Sequence, residues 1–110
     1  MIASSVVGRA QLFLNDTGGV RWNGTAMLQY LADALNELWV RRQSAFYTSG
    51  IVYTQPSNPS SAGDTVYIQD SYLLPVAHYI SYLCFLEDSD DVSNTSLATM
   101  HYNLFEKGLL

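Results

Sequence analysis

The stretch from Asn15 to Arg42, N-D-T-G-G-V-R-W-N-G-T-A-M-L-Q-Y-L-A-D-A-L-N-E-L-W-V-R-R, constrains the fold more than any other part of the chain. Gly18 and Gly19 allow positive φ, and Asn15 or Asp16 can bond back to the backbone, so the chain should reverse direction there. Asn23 is suited to cap a helix, and Trp22 and Met27 occupy the two positions of a hydrophobic staple around it. Beyond the cap, Met27/Leu28, Leu31, Leu35 and Leu38/Trp39 form one apolar stripe, while Gln29, Asp33, Glu37 and Arg41 line the other side. Glu37 and Arg41 are spaced for an i, i+4 pair. Turn, cap and periodicity agree, and the expectation is an amphipathic helix of about 20 residues, roughly 30 Å long, over about 24–44. Arg41 and Arg42 near its C-terminus complement the helix dipole.

On either side of this stretch the pattern remains helical, with one interruption. Ile2, Val6, Ala10 and Phe13/Leu14 are spaced for a first helix over about 3–15. Ile51–Thr54 and Thr65–Ile68 are β-branched or aromatic throughout and flank a polar Pro/Ser/Gly tip, which suggests a two-stranded ribbon over about 51–69. A lone hairpin is marginal in water, so the ribbon needs the helices or a neighbouring molecule. The tip is expected to be dispensable for folding, so deleting Pro56–Ala62 should weaken assembly only. A third helix is expected over about 73–87, admitting Pro75 in its first turn and looking buried on more than one face. A fourth is expected over about 92–107, with Gly108 as its C′ residue and Leu109 and Leu110 as an apolar tail. The expected fold class is therefore all-α, a bundle of about four helices with a two-stranded β-ribbon inserted between helices 2 and 3. A single domain spans residues 1–110.

Composition narrows the function. Only 14% of residues are charged while 48% are hydrophobic, against about 25% charged in an ordinary soluble domain. This deficit suggests surface that a partner covers. The net charge is −5, and the basic residues Arg9, Arg21, Arg41, Arg42 and Lys107 are scattered, so no phosphate-gripping face is expected. The N-terminal residues lack a basic region ahead of an apolar core, and no run reaches the roughly 18 apolar residues of a spanning helix. Neither secretion by the usual route nor membrane insertion is expected.

Candidate chemistry is sparse. Cys84 is a lone cysteine in an apolar run, read as inert rather than nucleophilic. His78 and His101 can meet across two antiparallel helices, but without a matching carboxylate or thiolate they read as core or interface histidines, not a metal site. Glu87, Asp88, Asp90 and Asp91 lack the alternating oxygens and central glycine of a calcium loop and read as a solvated turn. Gly18-Gly19 has no preceding strand or following lysine and is no phosphate loop. No catalytic residue, cofactor or metal is expected.

The aromatic content points elsewhere. Eight tyrosines, four phenylalanines and two tryptophans in so weakly charged a chain are typical of interface composition. The candidate partner or subunit contacts are Tyr47, Ile51, Tyr53, Pro56, Asn58, Pro59, Val66, Tyr67 and Tyr72 around the ribbon, with Arg41, Arg42, Leu109 and Leu110.

These residues also carry a family resemblance. Arg9 to Leu38, R-A-Q-L-F-L-N-D-T-G-G-V-R-W-N-G-T-A-M-L-Q-Y-L-A-D-A-L-N-E-L, resembles the R-A-x-x-x-L-N-D-x-x-G-x-R-W pattern of tailed-bacteriophage head–tail connector (adaptor, or neck) proteins. Leu74 to Asp88, L-P-V-A-H-Y-I-S-Y-L-C-F-L-E-D, followed by A-T-M-H-Y-N-L-F from Ala98 to Phe105, is similar to that family's closing helices. The chain departs from the pattern at Thr17, where a proline is usual, and at Ala26, where an acidic residue is usual.

The resemblance implies a structural, non-enzymatic virion protein of the neck, made in the bacterial host cytoplasm. It implies a ring of neighbouring copies, expected to be a dodecamer, below the portal protein. Such a ring would offer a platform to the next tail or nozzle protein and let double-stranded DNA pass without specific binding. Within it, Glu87, Asp88, Asp90 and Asp91 are expected to face the channel, and Gly18, Gly19, Trp22 and Asn23 to set the angle between the first two helices. The rival reading from the residues is a small helical DNA-binding or regulatory accessory protein, which would need the basic face that the chain lacks.

Overall fold

Helix α1 spans Ala3–Leu14 and has no side-chain cap at its start. Its first free N–H groups are met by a distant loop instead: Ala3 and Ser4 donate to the carbonyls of Asp64 and Ala62, each at 2.9 Å. The loop is itself held by the Asp64 carboxylate, which accepts from the backbone N–H and the hydroxyl of both Ser60 and Ser61. Those bonds, the Ser60 N–H foremost, hold the carboxyl of Asp64 below its ordinary range. Pro59 in the same loop is buried. The stretch expected to be dispensable thus includes a helix cap and a core residue, and the part of it described here belongs to the fold. The computed structural model describes residues 1–16, 21–46, 55, 58–87 and 92–110.

The end of α1 shows how the chain turns. Asn15 takes the left-handed conformation at φ 54°, its N–H donates to Leu12 O, and the Asp16 N–H reaches back to Gln11 O. This is the Schellman pattern with asparagine in the position usually held by glycine. The Asp16 carboxylate then accepts from the N–H groups of Arg21 and Trp22 at 3.2 and 3.1 Å. One residue therefore joins both sides of the reversal, while Gly18 and Gly19 lie outside the described residues.

Helix α2, Gly24–Arg41, begins as expected: the Asn23 side chain accepts from Ala26 N–H at 2.8 Å. Met27, Leu31, Ala34, Leu35 and Leu38 are its buried stripe. The helix ends before the expected residue 44. Arg42 leaves helical geometry, and a 3₁₀ turn at Gln43–Ala45 brings Ala45 and Phe46 into the core.

Thr65–Ile68 is extended but does not form the expected ribbon. It makes isolated antiparallel bridges, Thr65 with Ile2 and Ile68 with Phe46. Val66 and Ile68 are buried while Thr65 and Tyr67 are exposed, so the alternation is that of a strand with one face on a core. Burying that face on the bundle replaces the weak pairing of a free hairpin. The other expected strand, Ile51–Thr54, lies outside the described residues, and among the described residues there is no two-stranded ribbon.

Helix α3, Leu73–Glu87, follows a 3₁₀ turn at Asp70–Tyr72 and packs on α1, on α2 and most extensively on α4, Val92–Gly108. Its buried positions (Pro75, Val76, Ala77, Ile80, Ser81, Cys84 and Phe85) cover about half of its circumference. The broad burial read from the sequence is what makes α3, rather than α2, the central helix. The pairs Pro75–Gly108, Tyr79–Phe105, His78–His101 and Phe85–His101 align α3 and α4 as an antiparallel hairpin. At its end Gly108 is needed for close approach, because a Cβ there would lie 2.3 Å from Pro75 Cγ. Gly108 is the last residue of α4, not the residue beyond it. Phe105, Met27, Leu31, Leu38, Ile68 and Ile80 are the largest fully buried side chains, and they join all three layers of contact into one core.

Candidate functional site

The expected interface residues separate into three groups. Tyr47, Ile51, Tyr53 and Pro56 lie outside the described residues. Val66 (2% exposed), Leu109 (6%) and Pro59 are buried within the chain itself, so a single copy does not present them to a partner. Their apolar character fills this chain's own core, which corrects the expectation of a free apolar tail at Leu109. Asn58, Tyr67 and Leu110 are exposed, and Tyr72 is half-buried against the core.

Arg41 and Arg42 are used inside the subunit. The Arg41 guanidinium reaches Glu37 at 2.9 Å, Glu106 at 3.0 Å and the Tyr102 hydroxyl at 2.7 Å. Arg42 Nε donates to the carbonyl of Leu109 at 2.8 Å. Bonds to Glu37 first, then Glu106, raise the pKa of Arg41 above its ordinary value. The two arginines therefore tie the C-terminal ends of α2 and α4 together. That long-range bond is invisible in a sequence whose local reading gives only the helix-dipole contact with Glu37.

Above this tie is an aromatic cluster. Tyr79 stands edge-on to Phe105 at 4.8 Å and to Tyr82 at 5.4 Å, while Tyr82 meets Tyr102 at 5.0 Å. Burial, reinforced by Glu37, pushes the Tyr79 phenol up to about 12, so it stays protonated. Tyrosines expected only as surface contacts are thus partly structural.

His78 and His101 meet as the spacing allows, with their Nδ1 atoms 2.9 Å apart. Phe13 stacks on His78 at 4.4 Å, and Phe85 on His101 at 5.6 Å. A hydrogen bond at this distance requires one ring to donate and the other to accept, so at least one is neutral. Burial lowers both pKa values, and with His78 alongside, that of His101 falls to about 4. Among the described residues, no group of three or more His, Cys, Asp or Glu converges in a way that could hold a metal. Cys84 is fully buried with Sγ 3.7 Å from Met27 Sδ, and burial pushes its thiol up to about 12, leaving no thiolate for chemistry.

At the hinge, Trp22 is 7% exposed and its ring stands edge-on to Phe85 of α3 at 6.4 Å. Met27 is in the same core. The angle between α1 and α2 is therefore fixed partly against α3. Of the acidic turn, Glu87 is exposed, while Asp88, Asp90 and Asp91 lie outside the described residues. An open groove of about 440 Å³ runs between α1, the start of α2 and the capping loop, lined by Val7, Gln11, Thr25, Leu28 and Ala62 among others. It contains no charged or nucleophilic constellation. No helix among the described residues is long and apolar enough to cross a membrane.

No family model, no characterised protein and no solved structure matches the chain.

Proposed function

We propose that this protein is a structural, non-enzymatic head–tail adaptor of a tailed bacteriophage, forming a ring below the portal and a platform for the next tail protein. The observation that carries the reading is the resemblance of Arg9–Leu38 and of the L-P helix with its A-x-x-H-Y-x-x-F partner to that family's pattern. Those same residues do the geometric work of the subunit. Asn15 and Asp16 turn the chain, Asn23 caps α2, Trp22 wedges against α3, and Pro75, His78, His101 and Phe105 seat α4.

A subunit whose conserved task is shape rather than reaction suits a ring, in which each copy's wedge angle decides closure. Low charge density supports extensive lateral contact, and the net charge of −5 suits a channel that DNA crosses without sticking. In this reading, Glu87 and the acidic residues after it face the channel.

The test is to mix the protein with its cognate portal and image the product by electron microscopy. A ring stacked coaxially on the portal is the expected result. Persistent failure to dock, or a docked ring with Glu87 on its outer wall, overturns the adaptor or the channel assignment respectively.

A further inference from the structure

The outer face of α4 departs from the pattern of a solvated helix. From Val92 to Phe105 the chain has no Asp, Glu, Lys or Arg. Ala98, His101 and Phe105 are buried, and on the opposite side Ser96, Thr99, Met100, Asn103 and Leu104 are exposed. These five occupy an arc of about 140°. Met100 and Leu104 are 45% and 37% exposed, and the Thr99 hydroxyl donates back to Thr95 O within its own helix, which uses up its polar group. The outer side of α2, by contrast, carries Asp33 and Arg41.

The two ends of this uncharged face have opposite sign. Glu87 closes α3 beside the start of α4, and the sequence adds Asp88, Asp90 and Asp91 before the helix begins. At the other end Lys107 is exposed on the same face, and Arg42 is held there by the Leu109 carbonyl. Along α4 the surface thus runs from acidic through neutral to basic.

We propose that this face pairs two copies of the chain, α4 against α4 in antiparallel order about a two-fold axis at Met100. The antiparallel order sets the acidic end of one copy against Lys107 of the other, whereas a parallel order would set like charge on like. The same order opposes the two helix dipoles. It also places the short Ser96 opposite the long Leu104 at both ends and Met100 against its own equivalent, so that large meets small across the seam. An isologous pair of this kind is closed. It gives the free protein a resting state distinct from any ring, and it does not depend on the adaptor reading.

Sedimentation equilibrium on the full chain at low salt tests the pairing. The expected result is a dimer that weakens with added salt and becomes a monomer in Met100→Glu, with unchanged circular dichroism because Met100 is a surface residue. Lys107→Glu should weaken the dimer by about tenfold or more. Met100→Cys should trap itself as a covalent dimer on mild oxidation, while Leu12→Cys, on the exposed side of α1, should not. A monomeric wild type, an oligomer that survives Met100→Glu, or equal trapping of both cysteines overturns the proposal. None of these outcomes bears on portal docking, so the two readings fail separately.

Discussion

The Nδ1 atoms of His78 and His101 lie 2.9 Å apart, joining α3 to α4 by one shared proton between two phenylalanine rings. His101 is almost wholly buried and has no carboxylate partner. The bond is therefore a property of neutral imidazole.

That geometry makes stability depend on pH. His101 titrates near 6.5 when unfolded, but in the fold burial and then His78 push it down to about 4. Between these values the unfolded chain takes up a proton that the fold refuses. The contribution is full above pH 6.5 and is lost progressively as pH falls toward 4, on the order of 3 kcal/mol. His78 is shifted in the same direction and adds to the trend. Urea unfolding across this range should show the loss, and His101→Gln should flatten it. A flat wild-type profile sinks this account.

Gly108→Ala should destabilise the protein by about 1–3 kcal/mol, because the new methyl group collides with the buried Pro75 ring. Pairing it with Pro75→Ala should recover part of the loss. Strict additivity of the two changes in thermal unfolding would show that the collision is not the cause.

Asp16→Ala leaves the Arg21 and Trp22 N–H groups without their carboxylate, at an expected cost of about 1–3 kcal/mol. Asn15→Gly, at φ 54°, should be neutral or slightly stabilising, since glycine adopts that conformation freely. Chemical denaturation of both variants checks the ranking. An Asn15→Gly loss larger than that of Asp16→Ala would misplace the turn's main support.

Trp22→Ala removes a core ring packed on Phe85 and should cost about 3–5 kcal/mol. Assembly on the portal should suffer with folding. A variant that melts like the wild type and still joins particles would show that the hinge is organised elsewhere.

Much of the architecture could be read from the sequence because it is local. Helix periodicity placed all four helices, the last three starting at the expected residues, and Asn23 and the Glu37–Arg41 pair do what their spacing demands. Asn15–Arg42 was legible as turn, cap and helix since each signal lies within a few residues of its partner. The choice of Asn15 over the glycines for positive φ was left open, because either chemistry permits it.

What only the tertiary structure decided involves partners far apart in the chain. The cap of α1 comes from Ala62 and Asp64, the partners of Thr65 and Ile68 are Ile2 and Phe46, and Arg41 and Arg42 bind Glu106 and Leu109. Val66 and Leu109 looked like surface for a partner, since an apolar side chain in a short segment does not reveal which core it fills. Sequence patterns fix where a helix or strand can form, through interactions within one or two turns. The contacts that close the bundle depend on how those elements meet, and that follows from the packing of α3 against the other helices.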